Sequence, residues 1–319
     1  MDAYNLALDC GGSKVVAILY DDAFCPIASC RVGSTRSTST PSAIIRRNAR
    51  DLVEKLSLAG KRLRLFGGCD RGLYEELSCQ CNVETFVRYG ELGAGLAAGG
   101  CSGDGYLALA GTGATFFCRR GDKVFVAGGY GSVVADEGSG YWIAREALGA
   151  AIRAREGWGG STLLLEMLHE HFGKDKPFTD AVMTLYSAPE TSPVAGVAAC
   201  APVVSRAAAA GDAVAKKILR RAGTVLGQQM AALMQREKLP PELPAVISGS
   251  VWRGDPVIFS EFTRVLREAG FKGQIRIPEY EPIVGMILCH WMSCNGDLTP
   301  EVLDKFRKQY EPWKFQIKK

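Results

Sequence analysis

The sequence has no apolar run approaching the ~20 residues that a membrane-spanning helix needs. Its start lacks the charged region and apolar core of a secretory signal, since a short alternating run already begins at Leu6. A cytoplasmic protein with no membrane partner is expected. Charge of one sign is also missing. The 38 Lys and Arg and 34 Asp and Glu are scattered, for a net charge of +4, so no basic face for nucleic acid is indicated. Histidine is scarce, with only His169, His171 and His290. The eleven cysteines are odd in number, and spacings such as Cys79/Cys81 and Cys289/Cys294 match no familiar zinc or iron–sulfur ligand set. They read as reduced thiols, mostly small buried hydrophobes.

What remains is a globular composition. The 319 residues, 47% hydrophobic and 23% charged, are enough for about two domains with full cores. Leu6-Ala7-Leu8-Asp9 reads as a buried strand ending on an acid. Cys10-Gly11-Gly12-Ser13-Lys14 then turns the chain into a second apolar, β-branched run, Val15 to Tyr20. A strand–turn–strand order excludes the dinucleotide fingerprint and the Walker loop, which both need a helix after the glycines. Two readings stand for this turn. It is an ordinary hairpin, or an anion cradle in which backbone N–H groups, Ser13 and Lys14 meet a phosphate while Asp9 orients a hydrated metal ion.

A third strand ends near Gly33, and a polar stretch, Ser34 to Thr40, carries Arg36. Helices are expected from Pro41-Ser42 to about Ser57 and from Asp70 to Ser78, with strands at 63–66 and 83–87. A small-residue helix covers about Glu91 to Ala98. The opening pattern then recurs a domain's length later. Leu107-Ala108-Leu109-Ala110 runs into Gly111-Thr112-Gly113, followed by two further strands, at 116–118 and 124–127. Self-similarity on this scale suggests two related domains, each led by strands and a Gly turn, the two turns clamping a polyphosphate from both sides.

The densest stretch is Gly128 to Ile143, with five glycines, three aromatics and the adjacent acids Asp136 and Glu137. A helix starts at Ser139, so the acids sit where a helix dipole favours carboxylates. Simple capping is one reading; close backbone approach to a ligand is the other, and it accounts for the glycines. The remainder is mostly helical: 161–172, 179–187, 194–210 broken near Pro202, and 212–237. A short strand, Ala245 to Ser248, runs into Gly249-Ser250-Val251-Trp252. A helix at 256–269, a strand at 274–277, helices at 281–292 and 298–310 and a basic tail, Lys318-Lys319, complete the chain.

Taken in order, D-x-G-G-S-K, G-T-G, G-G-x-G…D-E-G-S-x-Y-W-I and strand–G-S-V-W–helix resemble the sugar-kinase/Hsp70/actin superfamily. Within it the chain is similar to the N-acetylglucosamine kinase branch, which groups with the BadF/BadG/BcrA/BcrD-type ATPases. The resemblance implies an α/β fold of two ribonuclease-H-like (actin-like ATPase) domains with an ATP cleft between them. Residues 1–103 would form the N-terminal domain and 104–296 the C-terminal one, with the final helix, about 297–319, packing back on the first. The cofactors implied are ATP and Mg²⁺. Asp9 would hold Mg²⁺ through water. Gly11, Gly12, Ser13 and Lys14 would line one phosphate turn, and Gly111, Thr112 and Gly113 the other. Gly249 and Ser250 would sit beside the adenosine. Gly128, Gly129, Asp136 and Thr112 would contact an amino sugar.

Where the family places an Asp to accept the sugar hydroxyl's proton, this chain has Glu91, either the catalytic base or a helix-start acid. Cys10 and Ala114 stand where the family commonly has Gly and Ser. Arg36 stands where it often has a sugar-binding Asn, either solvated or paired with an acceptor's carboxylate. The function expected is phosphoryl transfer from MgATP to a small amino sugar, at O6 of N-acetylglucosamine or N-acetylmuramic acid. The alternatives are an ATPase that activates a partner redox enzyme and a non-catalytic sugar-binding protein. A homodimer is compatible with the resemblance.

Overall fold

The structure, a computed structural model, describes residues 3–37, 40–187 and 192–317. Thr38 of the Arg36 loop and the Lys318-Lys319 tail lie outside them. The chain divides into two compact units. One runs through Leu107 and takes in Arg276–Phe315; the other is Ala108–Ile275 with residues 316–317, both main boundaries falling inside strands of the second sheet, which are described with the second unit.

The first unit begins β1 (Tyr4–Cys10), β2 (Lys14–Tyr20), β3 (Pro26–Gly33), α1 (Ser42–Lys55), β4 (Arg62–Gly67), α2 (Arg71–Gln80), β5 (Asn82–Val87) and α3 (Glu91–Ala98). Its sheet has the order β3-β2-β1-β4-β5. The β1–β2 and β2–β3 pairs are antiparallel, whereas β4 joins β1, and β5 joins β4, in parallel. Alternation along β1 and β2 sorts side chains onto two cores. Leu6, Leu8, Val15, Ala17 and Leu19 pack under α1 and α2, against Leu52, Val53, Leu73 and Leu77. Ala7, Val16, Ile18 and Tyr20 face the other way, toward α3 and the C-terminal helices. Each such fully buried Leu is worth about 1.5–3 kcal/mol of transfer free energy.

The second unit continues with β6 (Gly105–Ala110), β7 (Ala114–Arg120), β8 (Lys123–Gly128), α4 (Gly140–Arg155), α5 (Leu164–Phe172), α6 (Phe178–Ser187), α7 (Pro193–Ala198), α8 (Ala201–Ala209), α9 (Ala213–Arg236), β9 (Ala245–Ser248), α10 (Pro256–Glu268) and β10 (Ile275–Arg276). Its sheet reads β8-β7-β6-β9-β10. That is the first sheet's order with β6 in the place of β1, so the two Leu-Ala-Leu strands are equivalent. The break near Pro202 appears as the step between α7 and α8. Helix α5 starts three residues later than Ser161 because Asp212 holds the preceding segment. Its carboxylate accepts from Thr162 Oγ1 at 2.8 Å and Leu163 N at 2.7 Å while also capping α9 through Ala215 N.

Finally, α11 (Pro282–Asn295) and α12 (Pro300–Gln309) return to the first unit. The sequence division places α11 in the second domain, but it packs along α3. Gly285 lies so close to Ala94 that a Cβ there would stand 2.0 Å from the Ala94 carbonyl oxygen. This crossing needs small residues on both helices, which is why α3 is built from Gly and Ala. Phe306 of α12 and Tyr310 just after it join the same core. Among the described residues no single helix is long and apolar enough to cross a membrane.

Candidate functional site

In the first unit, β1 and β2 meet at a tight turn. Asp9 pairs with Val16, and Gly11 N donates to Lys14 O at 2.9 Å. The loop after β3 is tied to this turn, because Ser34 Oγ donates to Gly11 O at 3.1 Å. Asn48, a buried amide on α1, donates to Ser34 O at 2.8 Å. Thr35 is fully buried, and Arg36 N donates to Ser34 Oγ at 3.2 Å. The Arg36 guanidinium then reaches Glu91, the first residue of α3, with Nη2 at 3.9 Å from Oε1.

The electrostatics of this cluster are dominated by acids. Burial above all, with Glu91 and Glu281 adding to it and Lys14 partly offsetting them, raises Asp9 from 3.8 to about 6. Although 44% of the Glu91 side chain is open, the surrounding protein removes enough water to raise its pKa, and Arg36 offsets part of that. Burial, with Cys69 and Asp9 nearby, holds the Cys10 thiol well above its ordinary value, so Cys10 is an inert neutral thiol beside the turn. Ionised Asp9 is therefore desolvated and repelled by Glu91 and Glu281 more than Lys14 compensates, a setting that a hydrated divalent cation relieves. Among the described residues no group of three or more His, Cys, Asp or Glu forms a direct metal cage. The donor set fits an ion held through water at Asp9. None of the eleven cysteines forms a disulfide.

In the second unit the G-T-G turn leaves β6 and packs on the start of α4. Gly111 N donates to Gly113 O at 2.9 Å; Gly140 N donates to Gly111 O at 2.8 Å, and Tyr141 N to Thr112 O at 3.3 Å. Ser139 caps α4 by accepting from Trp142 N at 3.2 Å. Asp136, buried and left-handed at φ 64°, lays its carboxylate against the turn, so that a Cβ on Gly113 would lie 2.6 Å from Oδ2. Gly249, at φ 103°, abuts the turn from β9; a Cβ there would stand 2.3 Å from Ala110 O. Behind it, Trp252 Nε1 donates to Ala108 O at 3.1 Å and to Ser248 O at 2.9 Å.

The structure thus gathers Asp9, Gly11, Lys14, Arg36 and Glu91 in the first unit, and Gly111, Thr112, Gly113, Asp136 and Gly249 in the second. Ser13 and Ser250 are exposed beside their turns. Two expectations change in detail. The N–H groups of Gly11 and Gly111 close their own turns, so they are not the cradle's donors. Gly128 and Gly129 are glycines for a local reason. Both have φ near 75°, and they pack on β7, where a Cβ on Gly129 would meet Thr115 Oγ1 at 2.8 Å. Sequence reasoning missed Ser34, Asn48 and Glu281. Asn48 carries a signal, being a polar residue inside the apolar stripe Ile44, Ile45, Ala49, Leu52. Glu281 carries none, because its relation to Asp9 is purely tertiary.

With this geometry in place, the chain can be set beside known proteins. A curated N-acetylmuramic acid/N-acetylglucosamine kinase of Clostridium acetobutylicum is 28% identical over 194 residues, 60% of this chain. The match spans 62% of that relative's length, less than two thirds of it. A candidate N-acetylglucosamine kinase from Chromobacterium violaceum has a similar fold, with a TM-score of 0.66 at 20% identity over 90% of this chain and 98% of that one. A ROK family glucokinase from Streptomyces griseus, solved with glucose and AMPPNP, gives a TM-score of 0.52 at 16% identity over 90% and 97% of the two chains. The chain accordingly shares the α/β fold of these two solved structures. The model of the BadF/BadG/BcrA/BcrD ATPase family matches residues 6–289, nearly the whole chain, and the protein belongs to that family.

Proposed function

We propose that the protein is an ATP-dependent sugar kinase that transfers the γ-phosphoryl group of MgATP to a hydroxyl of an amino sugar, at O6 of N-acetylglucosamine or N-acetylmuramic acid. The observation that carries this reading is the Asp9–Glu91–Arg36 cluster at the mouth of a Gly turn. It offers a carboxylate suited to orient a hydrated cation, and a second carboxylate, of raised proton affinity, at the start of a helix. Family membership and the 28% identical kinase support the same class.

In this mechanism Gly12, Ser13 and Lys14 meet one side of the phosphate chain, and Thr112 and Gly113 supply backbone and hydroxyl contacts. Gly249 and Ser250 lie at the adenosine, and Gly128, Gly129 and Asp136 at the sugar. Bound Mg²⁺ supplies charge neutralisation on the phosphates. Asp9 would hold that ion through water, in a site where burial and neighbouring acids make an unaccompanied carboxylate costly. Glu91 accepts the proton of the attacking hydroxyl as its oxygen bonds to the γ-phosphorus. The bond to the β-bridging oxygen then breaks, its electron pair leaving with ADP. A cytoplasmic location and the possibility of a homodimer accompany the reading.

The test is ADP release, coupled to NADH oxidation, with MgATP and a panel of amino sugars, sugar acids and neutral hexoses. Sugar-dependent release with an N-acetylated amino sugar supports the reading. Release that no sugar stimulates overturns it.

A further inference from the structure

The contact between Arg36 and Glu91 is built unevenly. At 3.9 Å it is longer than a hydrogen-bonded ion pair, and the side chains keep 46% and 44% of their surface open. Such a pair is weak in water and easily exchanged. The backbone that presents it is the opposite. Ser34 O is held by the buried Asn48, Ser34 Oγ bridges to Gly11 O and receives Arg36 N, and Thr35 is fully buried. A pinned loop therefore aims a guanidinium whose present partner is loosely held. That partner is the carboxylate assigned the proton-accepting role.

We propose that Arg36 recognises a carboxylate on the acceptor sugar, and that this carboxylate displaces Glu91 from the guanidinium. The inference rests on the kinase reading and adds the acceptor class: a sugar acid is preferred to its neutral counterpart. The planar fork of Arg matches a carboxylate in bidentate fashion. One carboxylate replaces another on the same cation, so the exchange leaves no charge unpaired at Arg36. Glu91, freed from the cation facing it, becomes the better proton acceptor for the sugar hydroxyl. A neutral acceptor leaves the pair intact, and the base stays partly masked. In the ligand-free protein Glu91 thus occupies the place of the substrate's own carboxylate.

The experiment is calorimetric titration of N-acetylmuramic acid and of its carboxamide into the wild type, Arg36→Ala, Glu91→Gln and the double variant, with ADP release measured alongside. The wild type binds the acid about 10–100-fold more tightly than the carboxamide, the range expected for a charge-assisted hydrogen-bonded contact. Arg36→Ala removes most of that preference. Glu91→Gln binds the acid more tightly than the wild type even as turnover is lost, because the competitor for Arg36 is gone. In the Arg36→Ala background this gain disappears. A gain that persists without Arg36 reports general repulsion from Glu91 and overturns the exchange. Equal affinity for acid and carboxamide in an enzyme that still phosphorylates sugars overturns this inference alone. No sugar-dependent ADP release overturns the kinase reading, and the inference with it.

Discussion

The two Gly turns make an instructive pair. Both follow a Leu-Ala-Leu strand at the centre of a five-stranded sheet, and the two sheets share one strand order. The first turn is surrounded by charge: Asp9, Lys14, Glu91, Glu281 and Arg36. The second is surrounded by backbone and tight packing, with Asp136 laid on Gly113 and Gly249 pressed against Ala110. A repeated scaffold has separated two tasks, managing charge in the first unit and fixing backbone shape in the second. Substitutions should therefore harm the units differently. In the first they should change chemistry more than stability, and in the second stability more than chemistry.

The largest effect is expected at Glu91. Glu91→Gln keeps the size of the side chain and its place on α3 but removes the base. The rate of sugar-dependent ADP release should fall by about 10²–10⁴-fold, with nucleotide binding, followed by a fluorescent ATP analogue, nearly intact. An unchanged rate would remove Glu91 from the mechanism and leave it a helix-start acid.

The second turn should break through its packing. Gly249→Ala puts a methyl on a residue at φ 103°, 2.3 Å from Ala110 O. Strain and overlap together should lower stability by about 2–4 kcal/mol in urea denaturation. Gly111→Ala lies in the same turn with nothing within 4 Å of the new methyl, and should change stability by less than about 0.5 kcal/mol. Equal losses from the two would mean that the turn, and not the contact with Ala110, sets the tolerance.

Asp9 sharpens the contrast because there the charge opposes folding. Its folded-state pKa is raised from 3.8 to about 6, so the folded protein holds this proton more tightly than the unfolded chain does. The resulting stabilisation is complete below about pH 4 and is lost as pH rises through 6. At about 1.4 kcal/mol per pH unit this amounts to ~3 kcal/mol as an upper figure. Asp9→Asn should therefore make the nucleotide-free protein more stable at pH 7.5, by about 2–3 kcal/mol, and flatten its stability between pH 4 and 6. The same substitution should abolish the response of activity to Mg²⁺. A destabilised Asp9→Asn protein at pH 7.5 would show that the carboxylate is already compensated in the folded state.

Much of this architecture was legible in the sequence. The Leu-Ala-Leu echo, the two turns without a following helix and the small-residue helix from Glu91 are local patterns, and local patterns survive folding. What escaped depends on residues far apart in the chain. Helix α11 joins the first unit because Gly285 meets Ala94, a contact that no spacing announces. Glu281 reaches Asp9's electrostatic field from the start of that same helix. The glycines at 128 and 129 suggested an approaching ligand; their left-handed conformation and the neighbouring Thr115 give each a local reason to be glycine as well. Arg36 and Glu91 each drew attention alone, but their pairing is tertiary.

The smallest effect tests how far the charged turn depends on its mounting. Ser34 has no charge and touches no proposed ligand, yet its hydroxyl joins the Arg36 loop to the first turn through Gly11 O and Arg36 N. Ser34→Ala removes both hydrogen bonds while Asn48 still holds the Ser34 carbonyl. About 1 kcal/mol of stability should be lost, the net worth of an ordinary hydrogen bond. The functional signature should be separable from that loss. With a carboxylate-bearing acceptor, KM should rise severalfold, more than kcat falls, because the guanidinium is aimed less well and the base is untouched. With a neutral acceptor the KM change should be smaller. If both acceptors lose equally in kcat, Ser34 serves the phosphate turn through Gly11 and contributes nothing to aiming Arg36.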